Sequence, residues 1–315
     1  MSDPHRIDVH HHILPPRWLA EEAERMSGRA LDFDRVARWT PSMSLDAMDR
    51  NGIATTVTSI STVIVRPNDA KAAHGLAREC NEFAARLAHD HRGRFGVFAL
   101  LPLPHIDECL REIEYAADVL KADGFKLQTS YEDKWPGDPA FAPVFNELNR
   151  RKAVIFFHPT VPGCCTNLLP DLNAPLIEYP FDTTRAIMSL VFGGTVTRCP
   201  DISFIFAHGG GTVPMLAHRV AGLITKRPDL AARLPGGVIN EFRKLNFDIV
   251  STTNPPAMAA LLALTTASRL LFGTDIPYVT AESTVSELAG LGLSAADIRA
   301  IECDNALALM PSLRR

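Results

Sequence analysis

A chain of 315 residues with 46% hydrophobic and 22% charged residues carries ample apolar material for a large core, which excludes a disordered or low-complexity protein. Its formal net charge of −4, without a cluster of Lys and Arg, excludes the electrostatic footprint of a nucleic-acid or acidic-membrane binder. The longest nearly apolar run, Ala257 to Leu264, falls well short of the roughly 18 residues that span a bilayer, and the N-terminus leads into polar residues without a signal-peptide core, so a cytoplasmic protein is expected.

Short β-like runs alternate with helical patterns from one end to the other. The predicted strands are Arg6 to His10, Thr55 to Ile60, Phe95 to Leu101, Gly124 to Gln128, Val154 to His158, Ser203 to Ala207, Asn246 to Val250 and Leu270 to Gly273. Helical patterning covers Ala70 to His89, Ile106 to Lys121, Pro139 to Arg151, Thr183 to Thr197, Val213 to Ile224 and Pro256 to Thr266. Eight strands separated by helices predict a parallel sheet closed into a (β/α)8 TIM barrel, with the whole chain, 1–315, as one domain. Long connections follow the first strand (13–43), the fifth (159–182) and the sixth (209–244). Barrels place their sites on the loops after the strands, so these insertions are expected to roof a single pocket. Gly209-Gly210-Gly211 lacks the Lys-Ser/Thr of a phosphate loop and the dinucleotide-binding spacing, and reads as backbone passing close to that pocket.

The chemistry gathers at the strand ends. In Ile7-Asp8-Val9-His10-His11-His12 alternate side chains share a face, so His10 and His12 project together and His11 points away. Three later apolar runs end in further donors: Ala-Val-Ile-Phe-Phe-His158, Ile-Ser-Phe-Ile-Phe-Ala-His208 and Leu-Leu-Phe-Gly-Thr-Asp275. Barrel closure brings these five residues around one axis. His10, His12, His158 and Asp275 are assigned as ligands of one divalent ion; three imidazoles and a carboxylate suit Zn2+ best, with Mn2+, Fe2+ or Co2+ as alternatives. Taken singly each is unremarkable, since a lone His after an apolar run is usually structural and Gly-Thr-Asp can cap a helix. The six cysteines show no CxxC spacing, and Cys164-Cys165 is expected to play no ligand role. The other histidines, His5, His11, His74, His89, His91, His105 and His218, need only surface or structural roles.

The ordered set resembles the amidohydrolase superfamily. The surrounding words Ile7-Asp8-Val9-His10-His11-His12-Ile13-Leu14-Pro15, Phe204-Ile205-Phe206-Ala207-His208-Gly209-Gly210-Gly211 and Gly273-Thr274-Asp275-Ile276-Pro277-Tyr278 are similar to its decarboxylase branch, as are Asn81-Glu82-Phe83, Leu101-Pro102-Leu103-Pro104 and Phe181-Asp182-Thr183-Thr184-Arg185. The resemblance implies a barrel with one catalytic metal and non-oxidative loss of CO2 without an organic cofactor. Branch members that take dicarboxylates clamp them with two arginines, one of them reaching in from a neighbouring subunit. Arg227 matches that one, implying a homodimer, although it equally suits a plain pairing with Asp229. The other position falls near Asp32, with Arg35 and Arg38 close by. A small aromatic acid of the 2-hydroxybenzoate type, such as 6-methylsalicylate, therefore fits better than a dicarboxylate. Asp275 is expected to deliver a proton to the ring carbon, with His208 orienting it or acting as general acid/base. The alternatives are a hydrolase or hydratase that turns metal-activated water on a lactone or an unsaturated acid, and a barrel without activity.

Overall fold

A computed structural model of the protein describes residues 4–26, 32–63, 65–166 and 168–314. Residues 27–31, within the predicted connection 13–43, and residue 167, within 159–182, lie outside them. Eight strands form one parallel sheet in sequence order: β1 (Arg6–His12), β2 (Ile53–Ser59), β3 (Phe95–Leu100), β4 (Gly124–Gln128), β5 (Val154–His158), β6 (Ser203–Phe206), β7 (Asn246–Asp248) and β8 (Leu270–Leu271). Helices lie between them, as the alternation predicts for a (β/α)8 barrel. The sheet closes on itself through backbone bonds from Val9 N to Phe272 O (3.0 Å), from Asp275 N to His10 O (2.7 Å) and from His12 N to Ile276 O (2.7 Å).

Two apolar layers hold the barrel. Inside it, Ile7, Val9, Val57, Phe98, Phe156, Ile205 and Leu271 pack together, and Ala306, Met310 and Leu313 from the end of the chain join them as a stopper. The stopper sits at the N-terminal ends of the strands, where Ser312 bonds Asp123 just before β4. Outside, the opposite faces of the same strands meet the helices; β5, Val-Ile-Phe-Phe-His, is buried along its whole length, which is why it reads as a continuous apolar run. Among the described residues no helix is long and apolar enough to cross a membrane.

The connections after β1, β5 and β6 are more ordered than the sequence indicates. The first contains the helices Pro16–Met26, Phe33–Val36 and Pro41–Arg50. In the second, the helix predicted from Thr183 starts nine residues earlier and runs Ala174–Phe192. Pro175 occupies its first turn, where no N–H is needed, and Pro180 is carried inside it. The Thr184 hydroxyl donates to the Pro180 carbonyl one turn earlier in the same helix (2.8 Å). The third contains Val213–Ile224, as predicted, followed by Pro228–Ala231 and Val238–Arg243. At Gly211 (φ 65°) the backbone passes so near Pro180 that a Cβ would stand 2.1 Å from its carbonyl oxygen, which accounts for the last glycine of the triplet.

Candidate metal centre and active-site pocket

The donors come together at the C-terminal mouth. His10 and His12 project from the same face of β1, with their Nε2 atoms 3.1 Å apart, while His11 turns outward. There His11 Nδ1 donates to Asp8 (3.1 Å), and His11 Nε2 accepts from the Ser44 hydroxyl (2.7 Å), which itself accepts from Trp39 Nε1 (2.9 Å). Asp275 Oδ1 lies 3.2 Å from His10 Nε2 and 3.1 Å from His12 Nε2. With His158 from the end of β5, the four donor atoms all fall within 4.8 Å of one another. His208 stands beside this ring, with Nε2 3.4 Å from Asp275 Oδ2. Gly273 makes room for the arrangement, since a Cβ there would meet the His10 Cβ at 2.9 Å.

These residues fit a divalent ion. Donors bound at about 2.0–2.1 Å around a tetrahedral ion sit about 3.3 Å from each other, close to the three separations above. Asp275 Oδ1 is buried and receives no hydrogen bond of good geometry from the imidazoles that crowd it. The electrostatics agree. Burial alone would lower His10, but the carboxylates of Asp275 and Asp248 raise it to about 10, so the free cluster demands a positive charge. Burial, with His10 and the Lys126 ammonium adding to it, brings His12 down to about 4 and holds His158 well below the usual range, leaving both as neutral donors. Burial would raise the Asp275 carboxyl, yet the charge on His10 and the contacts from His10, His12 and His208 keep it well below the ordinary carboxylate range.

Backbone geometry marks the same spot. His208 (φ 55°), Ser251 (φ 57°) and Asp275 (φ 63°) all adopt the left-handed conformation that non-glycine residues rarely take. Such strain persists only where the surroundings over-determine it, and it clusters at working sites. All three line a cavity of about 260 Å3. Its floor is His158, His208 and Asp275; its walls are Pro175, Leu176, Tyr179 and Pro180 from the long helix after β5, with Tyr278 and Val279 after β8; Ser61 and Ser251 add hydroxyls. Among the described residues no Arg or Lys lines it.

Other expectations fall elsewhere. Arg227 is an exposed residue whose guanidinium is held by Asp229 (2.9 and 2.7 Å) and takes no part in lining this pocket. Arg35 pairs with Asp32 and donates to the Pro277 carbonyl (3.0 Å), bracing the loop after β8. Cys164 and Cys165 are unbridged and outside the donor group. Sequence reasoning missed Asp248, the buried partner of His10, and the helix that walls the pocket. The signal for the first was a carboxylate set between Phe247 and Ile249 in an apolar strand, where a charge needs a partner.

A barrel whose mouth gathers three imidazoles and a carboxylate into one cluster, with a further histidine beside it, defines a class of mononuclear metalloenzyme-like proteins. The chain belongs to the amidohydrolase family, whose sequence profile matches residues 7–311. It is similar to a protein of Aspergillus niger named decarboxylase yanB, at 35% identity over 97% of this chain and 87% of that one. It is also similar to the 6-methylsalicylic acid decarboxylase of Penicillium expansum, at 32% identity over 98% and 97% of the two chains. Among solved structures, a dihydroxybenzoic acid decarboxylase from Polaromonas, crystallised with manganese and the inhibitor 2-nitroresorcinol, superimposes with a TM-score of 0.86 at 20% identity over 100% and 98% of the chains, a likeness of fold.

Proposed function

We propose that this protein is a metal-dependent, non-oxidative decarboxylase of a small aromatic acid of the 2-hydroxybenzoate type, with His10, His12, His158 and Asp275 holding one Zn2+ or Mn2+. The observation that carries this reading is the small apolar cavity opening on the donor ring. A cavity of about 150 Å3 takes benzene, so one of about 260 Å3 suits a single substituted ring with its carboxylate turned to the floor. Among the described residues of its own chain the walls carry no Arg or Lys, so they supply no cation for a second carboxylate. The relatives named as decarboxylases support the same reading.

Breaking the aryl-to-carboxylate bond leaves an electron pair on the ring unless that carbon is protonated first. A divalent ion held by His10, His12, His158 and Asp275 would supply Lewis acidity to a bound aromatic acid. Asp275, held ionised in the free site, takes the phenolic proton as substrate settles, which enriches the ring in electrons. It then passes that proton to the ipso carbon; the bond to the carboxylate breaks, its electrons return to the ring, and CO2 leaves. His208 keeps Asp275 aimed through the Nε2–Oδ2 contact and exchanges protons with it, so that the product phenolate is neutralised at the cost of one proton per turnover. The Leu176, Tyr179 and Val279 walls exclude water and present apolar surface to ring substituents.

The test is CO2 release from a panel of 2-hydroxybenzoates by protein purified with its metal in place. Methyl-substituted monocarboxylates are expected to turn over faster than ring dicarboxylates. A metal-loaded protein that releases no CO2 across the panel but opens lactones overturns the decarboxylase reading in favour of water activation.

Arg227 belongs to the proposal as a residue donated to a neighbouring site in a homodimer, because in its own chain it stands apart from the cavity. Mixing Arg227→Ala and His208→Ala proteins under conditions of subunit exchange is expected to restore part of the activity in hybrid dimers. Demonstrated exchange without rescue removes Arg227 from the substrate site.

A further inference from the structure

Asp248 ends β7 with its side chain fully buried under the donor ring. One oxygen, Oδ2, is 2.7 Å from His10 Nδ1. The other, Oδ1, accepts the backbone N–H groups of His208 (2.8 Å) and Val250 (3.1 Å). An ionised carboxylate only accepts, so His10 donates from Nδ1, and Nε2, the atom left to ligate once its own proton is gone, faces His12 Nε2 and Asp275 Oδ1. The same carboxylate grips His208 where its backbone takes a left-handed φ of 55°. A single side chain thus bears on two groups with different tasks, one in the donor ring and one beside it. Its burial without solvent also means that neither bond has water as a substitute.

We propose that Asp248 is a positioning residue that fixes the His10 tautomer for ligation and pins the His208 backbone within reach of Asp275. The inference rests on the reading of His10, His12, His158 and Asp275 as a metal centre. It assigns Asp248 no contact with substrate.

Asp248→Asn separates this from a plain packing role. Asn matches Asp in size, and its carbonyl oxygen still serves the His208 and Val250 N–H groups. Its NH2, however, donates to His10 Nδ1 and so favours the tautomer with a proton on Nε2, where the ion belongs. We expect Zn2+ affinity, measured by competition with a chromophoric chelator on metal-free protein, to fall roughly 10- to 100-fold, as losses of such supporting carboxylates do elsewhere. Unfolding midpoints of both proteins, taken without metal, establish that the variant is folded. The second measurement needs no variant: 15N-histidine NMR of the zinc-loaded parent is expected to show His10 protonated at Nδ1 and ligating through Nε2. Ligation through Nδ1 overturns the proposal, as does a folded variant with the parent's affinity. A parent that binds no divalent ion overturns the metal reading itself, and the proposal with it.

Discussion

Asp275→Asn is expected to lower kcat for CO2 release by roughly a hundredfold to ten-thousandfold, the range associated with a lost proton-transfer group, while the protein keeps part of its metal. Three imidazoles remain at the ring, and the Asn carbonyl oxygen can still approach the ion. The amide can neither take the phenolic proton nor return one to carbon, so binding and turnover come apart. The variant also removes the negative charge that faces His10, His12 and His208, which weakens the ion's seat and makes measured metal content part of the experiment. Activity per bound metal equal to the parent's removes Asp275 from the proton path.

Removal of the ion is the larger effect. Dialysis against a strong chelator is expected to take CO2 release to background and leave a folded barrel, because the core of the sheet and the apolar layer around it owe nothing to the donor ring. Adding back Zn2+, Mn2+ and Co2+ separately then ranks the metals, and the highest kcat identifies the working one. Uptake is expected to strengthen as pH rises through neutrality: an imidazole binds as the neutral form, and His10, raised to about 10 by Asp275 and Asp248, must surrender its proton to the solvent. Full activity in chelated, metal-free protein is the result that defeats the metal reading.

Much of this site is legible in the sequence, for a physical reason. In a parallel barrel each strand is a short apolar run buried on both faces that leads into the shared mouth; His158, which ends β5, and His208, just past β6, announce themselves in that way. Asp275 does so less directly, because β8 stops at Leu271 and the chain continues to Asp275 as a backbone seam against β1. Asp248 was hidden by its neighbours: Phe247 and Ile249 make the segment read as one longer strand, whereas the Asp248 carboxylate bonds Val250 N and turns the chain there. The helix Ala174–Phe192 was hidden by Pro175 and Pro180, which read as loop residues until the first is seen in a helical first turn and the second against Thr184. Arg227 presents itself in this chain only as a surface arginine paired with Asp229, and a single chain displays nothing more of it.

The seam between β1 and β8 has a consequence for biosynthesis. His10 and His12 are synthesised long before Asp275, yet all three belong to one donor group. A nascent chain without β8 therefore holds three of the four donors, His10, His12 and His158, but lacks the carboxylate and the closing backbone bonds. If the donor group binds an ion as proposed, tight capture waits until Asp275 joins the β1 histidines, and chains stalled before that point compete poorly for the cell's metal.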